Sequence, residues 1–287
     1  MRDVKTVKTT SAQKEESQLD FYATINEDMT PHITLFGSMH MLGEKNLIWG
    51  EVGAGLSKSN QKKRRHIGFM SLVDRKKVFF GKADYIESKS SGPELDALNL
   101  IPQIRYNCYA GFKPVHILAI VNMDQKELDF KKYEKSTEAT KLAVNKAGEG
   151  KDPDAVSFVT REIFDTENGI KMLSYIDGTG YPVIIPLPQA ALTTNSNRIV
   201  FDLEGGEQAL SGLKEGTAIA IYALSYKYMC GVVVNGVLKK ASIDNKMFGL
   251  LDAEKVYNPI MPVPMYVYPK PQLKPARFED VLYQYNV

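Results

Sequence analysis

The sequence predicts a mainly β protein: two tandem six-stranded antiparallel barrels, joined by a helical linker and packed on one another as an internal pseudo-dimer. Three observations predict this. The chain repeats itself: with Pro31 set over Pro182, an offset of 151 positions, Phe21–Glu51 lies over Met172–Asp202 without a gap. At the same offset Ile67–Asp74 falls on Ala218–Ser225. Within each copy, apolar runs of strand length are separated by short turns rich in Gly, Asn and Asp. The length of 287 residues accommodates two domains of roughly 100–150 residues, each with its own core. The expected divisions are 1–125, a linker at 126–154, a second barrel at 155–258, and a tail at 259–287.

In the first copy, Phe21–Ile25 reads as a strand, Asn26–Thr30 as a polar turn and Pro31–Gly37 as the returning strand. Gly43–Lys45 then turns the chain into Asn46–Glu51. A basic loop follows, then the strand Ile67–Val73, a turn at Asp74–Lys77, and the long strand Val78–Glu87. Gly81 inside that strand marks a bulge or a close backbone approach. Ser88–Leu98 reads as loop and short helix, and Val115–Asn122 is apolar enough for a buried strand. Six such strands favour a small barrel, because closure removes exposed sheet edges. Asp129–Lys151 is charged, with weak helical spacing, and a short helix is expected over Asp154–Phe164. The second copy gives strands at Ile170–Ile176, Pro182–Pro188, Arg198–Leu203, Thr217–Leu224 and Met229–Lys240, with Gly249–Asn258 as its last. The Pro- and Tyr-rich stretch Pro259–Pro275 should run extended, and Phe278–Asn286 should form a terminal helix.

Composition narrows the function. Thirty-six Lys and Arg against 34 Asp and Glu leave a net charge of +2, too balanced for a general nucleic-acid binder. Cys108 and Cys230 build no disulfide framework, and the N-terminal residues have no apolar core of signal-peptide length. A cytoplasmic protein is the simpler expectation. No segment reads as a membrane span, since Thr217–Leu238 is interrupted by Lys227 and Asn235 and is patterned as two strands.

The two copies differ most between their matching strands. Gly55–Arg65, GLSKSNQKKRR, carries five cations, whereas Gly206–Gly216, GEQALSGLKEG, carries only Lys214. This asymmetry suggests one anionic-ligand site per pair of repeats. A phosphate monoester needs cations together with short hydroxyl and backbone donors. Gly53, Gly55, Ser57, Lys58, Ser59 and Asn60 supply that mixture in one segment, with Lys62 beside it. Trp49, the only tryptophan, and Gly50 stand just before it. Either a flat ligand wall or core packing accounts for such a tryptophan.

These motifs resemble the FMN-binding split barrel of the pyridoxamine 5′-phosphate oxidase-like flavoproteins. The matching residues are Pro31, His32 and Thr34; Leu47–Gly50; Ser57, Lys58 and Ser59; and Gly81, Lys82 and Ala83. The resemblance covers Phe21–Val121, and Met172–Lys240 through the internal repeat. It implies two tandem six-stranded antiparallel split β-barrels with FMN in a groove between them. The phosphate would lie at Ser57, Lys58, Ser59, Asn60 and Lys62, and the ring along Thr34, Leu35, Phe36, Trp49 and Gly50. Arg105, Tyr106 and Asn107 are candidates for closing the groove. The function implied is a flavin-dependent oxidoreductase that takes electrons from a nicotinamide cofactor. A non-catalytic flavin store, carrier or sensor stays open, as does haem, which some split barrels bind through a histidine. Pyridoxamine 5′-phosphate oxidase activity itself is not expected, because the basic and aromatic pattern of that substrate site is not found after Gly249. A small-molecule ligand is the expected partner, and a homodimer of chains is left open.

Other chemistries fit poorly. A phosphate-binding loop of the NTPase type would need Gly where Val52 and Ser57 stand, and no apolar helix follows Lys58. Lys62–Arg65 lacks the interleaved aromatics of a nucleic-acid surface. His32, His40, His66 and His116 have no metal-ligand spacing, so no metal site is expected.

Overall fold

Alternation along the first strand, β1 (Gln18–Ile25), generates the architecture. Successive side chains of a strand point to opposite faces. Tyr22 enters a core with Met39, Leu47, Trp49, Ile67, Phe69, Ala83, Tyr85 and Leu118. Phe21 and Ala23 enter a different core, shared with Met172, Ile184, Tyr222 and Val233 of the second copy. One face of β1 thus fills a barrel and the other forms the contact between repeats. This is a computed structural model, which describes residues 18–51, 53, 55–74, 76–101, 111–150, 152–166, 169–194, 196–205, 207–228, 230–259 and 264–270.

The first repeat continues with β2 (Pro31–Phe36), β3 (Met39–Leu42), β4 (Asn46–Gly50), helix α1 (Leu56–Lys63), β5 (His66–Val73), β6 (Lys77–Lys89), α2 (Pro93–Asn99) and β7 (Val115–Glu127). The linker holds α3 (Phe130–Val144), a 3-10 turn (Pro153–Ala155) and α4 (Phe158–Phe164). The second repeat has β8 (Ile170–Ile176), β9 (Pro182–Pro186), β10 (Ala191–Leu192), β11 (Arg198–Asp202), α5 (Gln208–Ser211), β12 (Ala218–Ser225), β13 (Cys230–Ile243) and β14 (Lys246–Asp252). Two further strands, β15 (Lys255–Asn258) and β16 (Met265–Tyr268), follow.

The first sheet runs β2-β1-β5-β6-β7-β4-β3, and the second runs β9-β8-β12-β13-β14-β11-β10. Every strand of the first has its counterpart in the same place in the second, which adds β15 on β13 and β16 on β15, and every pairing among the described residues is antiparallel. The chain is therefore two tandem split barrels of one topology. Each sheet curls until its strands share a core, yet β2 and β3 do not pair, and neither do β9 and β10. Closure is not what protects these edges, contrary to the sequence expectation. Strand β2 packs against β8, β12 and β13, while β9 packs against β1, β5 and β6, so the β2 and β9 edges are each covered by the other repeat.

Three further expectations change. The sequence suggests six strands per barrel, but β3 and β10 are additional short strands. The expected last strand Gly249–Asn258 divides into β14 and β15, and part of the tail forms β16 against β15. The ungapped repeat alignment also slips. Registers in the β1–β2 and β8–β9 hairpins keep the offset of 151, pairing Tyr22 with Thr34 and Leu173 with Ile185. At the next strands the faces no longer match at that offset. Leu47 and Trp49 enter the first barrel's core, as Ile199 and Phe201 enter the second's, so Gly50 corresponds to Asp202, one residue later than the alignment placed it. The second copy has one extra residue between these hairpins and β11, which an ungapped comparison cannot see. Gly81 behaves as expected: the β6–β7 register shifts after Lys82, and a Cβ on Gly81 would overlap the Asn122 carbonyl.

The contact between repeats is pseudo-symmetric, as in an isologous dimer. The turn of the β8–β9 hairpin docks on β5 and β6: Lys82 Nζ lies 2.5 Å from Asp177 Oδ2 and 3.0 Å from Thr179 Oγ1. Tyr181 stacks on His66 at 4.1 Å and donates to Asp84 Oδ1 at 2.8 Å. Reciprocally, Asn235, at the place of Lys82, donates to the Pro31 carbonyl at 2.7 Å. Lys255 pairs with Asp28 in the β1–β2 turn. The linker helix α3, capped by Asp129, which accepts from Lys132 N, lays Ala143 and Ala147 on Val200, Phe248 and Leu250 of the second barrel. Helix α4 is capped by Ser157 and buries Ile163 and Phe164 in that barrel's core. The expected terminal helix at Phe278–Asn286 lies outside the described residues.

Candidate functional site

The basic segment expected as a loop is largely the helix α1, and its two faces do different work. Ser57, Asn60 and Gln61 are buried, spaced so that they share one face. That face plugs the open side of the first barrel with polar groups. Asn60 Nδ2 donates to Thr24 Oγ1 at 3.1 Å and to Asn26 Oδ1 at 2.8 Å. Gln61 Oε1 accepts from the Tyr22 hydroxyl at 2.6 Å, and Gln61 Nε2 lies 3.0 Å from His116 Nδ1. His116 Nε2 is in turn 3.0 Å from Glu51 Oε2, and Glu51 Oε1 pairs with Lys58. A continuous hydrogen-bonded chain thus runs from the barrel interior to Lys58 at the protein surface.

Its proton positions follow from the donors. The Gln61 amide oxygen is taken by Tyr22, so its NH2 faces Nδ1, which must accept; the His116 proton sits on Nε2 and is donated to Glu51. Burial holds the His116 pKa below the ordinary imidazole value, against the pull of Glu51, so the ring is neutral at pH 7. Burial raises Glu51, but Lys58 and His116 outweigh it and leave the carboxyl below its usual value.

Lys58 opens on a small cleft, of about 160 Å³, between the repeats. Of the residues expected at the ligand, Thr34, Leu35, Phe36, Trp49, Gly50, Ser57 and Lys58 line this cleft, as do Gly53 and Gly55. Tyr257, Pro259 and Pro264 bring the second repeat to its wall. Ser59 and Asn60 line a neighbouring cleft instead, with Asn26, Asp28 and Lys255. Ser59 is exposed and donates to the Leu56 carbonyl at 2.9 Å. Lys62 is exposed and lines neither cleft. Arg105, Tyr106 and Asn107 lie outside the described residues. Trp49 is buried in an aromatic stack, 3.9 Å from His116 and 4.5 Å from Phe36 between ring centroids, so core packing is its main role. None of the four histidines lines this cleft. His32 is buried 5.0 Å from the Tyr257 ring, and His66 is engaged with Gly180 and Tyr181.

Two features of the cleft suit an anion. Helix α1, with Gly55 at its N-cap, has no cap from that residue's side chain and no acid in its first turn; the Leu56 N–H donates to the Tyr257 hydroxyl at 3.4 Å, and the positive end of the helix favours an anion nearby. Next to that end, the buried Ser57 Oγ has no hydrogen-bond partner among the described residues, which is costly unless a ligand or water supplies one. With Lys58 alongside, the donor set is the kind a phosphate group requires.

The second barrel differs at the equivalent place. Asp202, at the position of Gly50, is fully buried, and its carboxylate accepts from Ser136 Oγ at 2.9 Å, Glu204 N at 2.9 Å and Gly205 N at 3.1 Å. Lys246 pairs with it at 2.6 Å. Thr140 of α3 accepts from the Asp202 backbone N–H at 3.2 Å. The linker helix and an acid therefore occupy what is the ligand side in the first copy.

The sequence missed Tyr22, Glu51, Gln61 and His116 as a linked set, together with Tyr257, Pro259 and Pro264. An acid directly after Trp49-Gly50 and a single histidine in the apolar strand at Val115–Asn122 were the available signals. Their meeting depends on β4–β7 pairing, which places Trp49 opposite His116.

Among the described residues, no helix is long and apolar enough to cross a membrane. No family model and no curated protein matches the chain. Solved structures do. The chain is similar to an FMN-binding protein from Syntrophomonas wolfei, at 18% identity over 38% of this chain and 78% of that one, with a TM-score of 0.34. It is similar to HupZ from Group A Streptococcus, at 19% identity over 37% and 82%, TM-score 0.33. A putative pyridoxamine 5′-phosphate oxidase from Lactobacillus delbrueckii is similar at 19% identity over 43% and 99%, TM-score 0.31. Each likeness spans about two-fifths of this chain, which holds two barrels of the same topology.

Proposed function

We propose that this protein binds FMN in the cleft between its two barrels and acts as a flavin-dependent oxidoreductase fed by a nicotinamide cofactor. The observation that supports binding most directly is the buried Ser57 hydroxyl, unpartnered among the described residues, at the start of α1 beside Lys58. The phosphate would be held by Ser57, Lys58 and the first N–H groups of α1. Thr34, Leu35 and Phe36, with Tyr257, Pro259 and Pro264 opposite, would bound the ring. Glu51 and His116 hold Lys58 at the cleft, and Lys58 exchanges the Glu51 carboxylate for the ligand's charge. Bound flavin would supply the redox chemistry; the chain's own part is to orient it and to limit water.

The test is spectroscopic. Protein purified and loaded with FMN should show flavin absorbance, and Lys58→Ala should weaken FMN binding by about ten- to a hundred-fold with the fold intact. Unchanged affinity would remove Lys58 from the site. Oxidation of NADH or NADPH by loaded protein separates turnover from storage. Flavin bound without any such activity would replace the oxidoreductase reading with that of a carrier, store or sensor.

A further inference from the structure

A second cleft lies under the linker helix α3, on the other side of the molecule's pseudo-symmetry. Pro186 and Pro188, which line it, occupy in the second repeat the places of Leu35 and Gly37 in the first. Two adjoining cavities, of about 560 Å³ and 620 Å³, share Thr137, Lys141, Gly169, Lys171 and Pro188 and form one recess. Leu72 and Leu128 come from the first repeat and Met172 and Pro186 from the second, giving apolar walls.

Two polar groups of that recess have unused hydrogen-bonding capacity among the described residues. Lys171, half-buried on β8, makes no ion pair or side-chain hydrogen bond among the described residues. Burial lowers its pKa to about 8, with Asp165 opposing the shift and Lys141 reinforcing it. Gln189 is 1% exposed; its Nε2 donates to the Asp202 carbonyl at 3.4 Å, but its Oε1 has no partner. Both line the same cavity: Leu187 N donates to the Lys171 carbonyl, and Gln189 follows two residues on, in the turn after β9. An ammonium without a hydrogen-bond acceptor and an amide oxygen without a donor are each costly where water is partly excluded. Together they ask for a ligand with one anionic end and a donor close to it.

Charge narrows the ligand. Glu134, Glu138 and Asp165 line the recess along with Lys141 and Lys171. Three carboxylates against two ammonium groups repel a phosphate monoester, which carries close to two negative charges. They tolerate a zwitterion. We infer that this recess is a binding site for an α-amino acid with an apolar side chain. Its carboxylate would pair with Lys171, its ammonium would donate to Gln189 Oε1 within reach of the acids, and its side chain would rest on Leu72, Leu128 and Met172. The site is separate from the FMN cleft and does not depend on that assignment.

Calorimetric titration of the full chain with L-phenylalanine tests this, alongside 3-phenylpropanoate, which lacks the amine, and phenylalaninamide, which lacks the carboxylate. L-Phenylalanine should bind, and each analogue should bind about tenfold more weakly or worse. Lys171→Met should lose the binding while raising the melting temperature of the ligand-free protein, because it removes a half-buried, unpaired charge. Lys171→Arg, which keeps the charge, should retain part of the affinity. No heat and no thermal stabilisation from L-phenylalanine at millimolar concentration would overturn the proposal. So would equal binding of 3-phenylpropanoate, or binding undiminished in a folded Lys171→Met protein.

Discussion

His116 Nε2 donates to Glu51 Oε2 at 3.0 Å, and the other oxygen of the same carboxylate pairs with Lys58. One acid thus serves a buried imidazole on one side and a surface cation on the other. The imidazole side is dry, because the His116 side chain is fully buried. The Lys58 side chain is about one-third exposed, so its pair is screened by solvent and contributes little to stability. Positioning, more than stabilisation, is what the Glu51–Lys58 contact provides.

That asymmetry predicts different costs for two substitutions at one position. Glu51→Gln keeps an acceptor for His116 and should cost no more than about 1 kcal/mol. Glu51→Ala leaves the His116 N–H without a partner in the barrel and should cost about 1–3 kcal/mol. Urea unfolding of both variants measures the difference. Equal losses would show that the imidazole does not depend on Glu51.

Two sets of buried groups give stability a worked pH dependence. Burial pushes His32 down to about 3 and His40 to about 4, and also lowers His116. The unfolded chain then binds more protons than the native one as pH falls below the ordinary histidine value of about 6.5. Stability is lost in that direction, by roughly 1.4 kcal/mol per pH unit for each fully shifted group. Asp20 acts oppositely: burial raises it to about 7, against hydrogen bonds from Gln18 and Ser71. Its native form holds a proton that the unfolded chain has released, so it stabilises at acid pH, and that contribution is lost as pH rises through 7. Asp20→Asn should therefore raise stability at pH 8, by roughly 2–4 kcal/mol, and steepen the loss between pH 6.5 and 4. Melting temperatures across that range check both signs.

The seam between repeats tolerates no side chain at Gly68. A Cβ there would overlap the carbonyl of Pro182, at the start of β9. Gly68→Ala should cost about 1–3 kcal/mol and loosen the cleft between barrels, weakening FMN binding with it. Gly178→Ala, in the hairpin turn where a Cβ meets open space, serves as the control and should be near neutral. Thermal unfolding and flavin titration of the pair read out both effects.

Flavin stoichiometry should be one per chain. The place of Gly50 in the second barrel holds the buried Asp202 carboxylate, already paired with Lys246 and bonded to Ser136 of α3, so an anionic ligand there would meet a like charge whose cation is taken. Titration of apo-protein with FMN should saturate at a single equivalent. Two equivalent sites would contradict the asymmetry drawn between the repeats.

Much of this was legible in the sequence. Duplication, strand order and the face-alternating strands follow from period-2 patterning and self-similarity, which are local or pairwise properties of the chain. The contrast between Ser57–Lys58 and the segment around Lys214 also stood in the residues themselves, and seven of the expected ligand residues do line one cleft. Other features required the tertiary structure. The single-residue shift between copies was invisible until the core-facing positions set Gly50 against Asp202. Helix α1 was hidden because its buried face is polar: Asn60 and Gln61 bond to Thr24 and Tyr22 of β1 and His116 of β7, and Ser57 lies beside them, rather than forming an apolar stripe. The Tyr22–Gln61–His116–Glu51–Lys58 chain joins residues up to 94 positions apart, and only sheet pairing brings them together. Sequence determined which surfaces could be strands and where positive charge collects. Tertiary structure decided which polar groups those strands enclose and which remain unpaired, because a hydrogen bond's partner depends on three-dimensional proximity that no local pattern encodes.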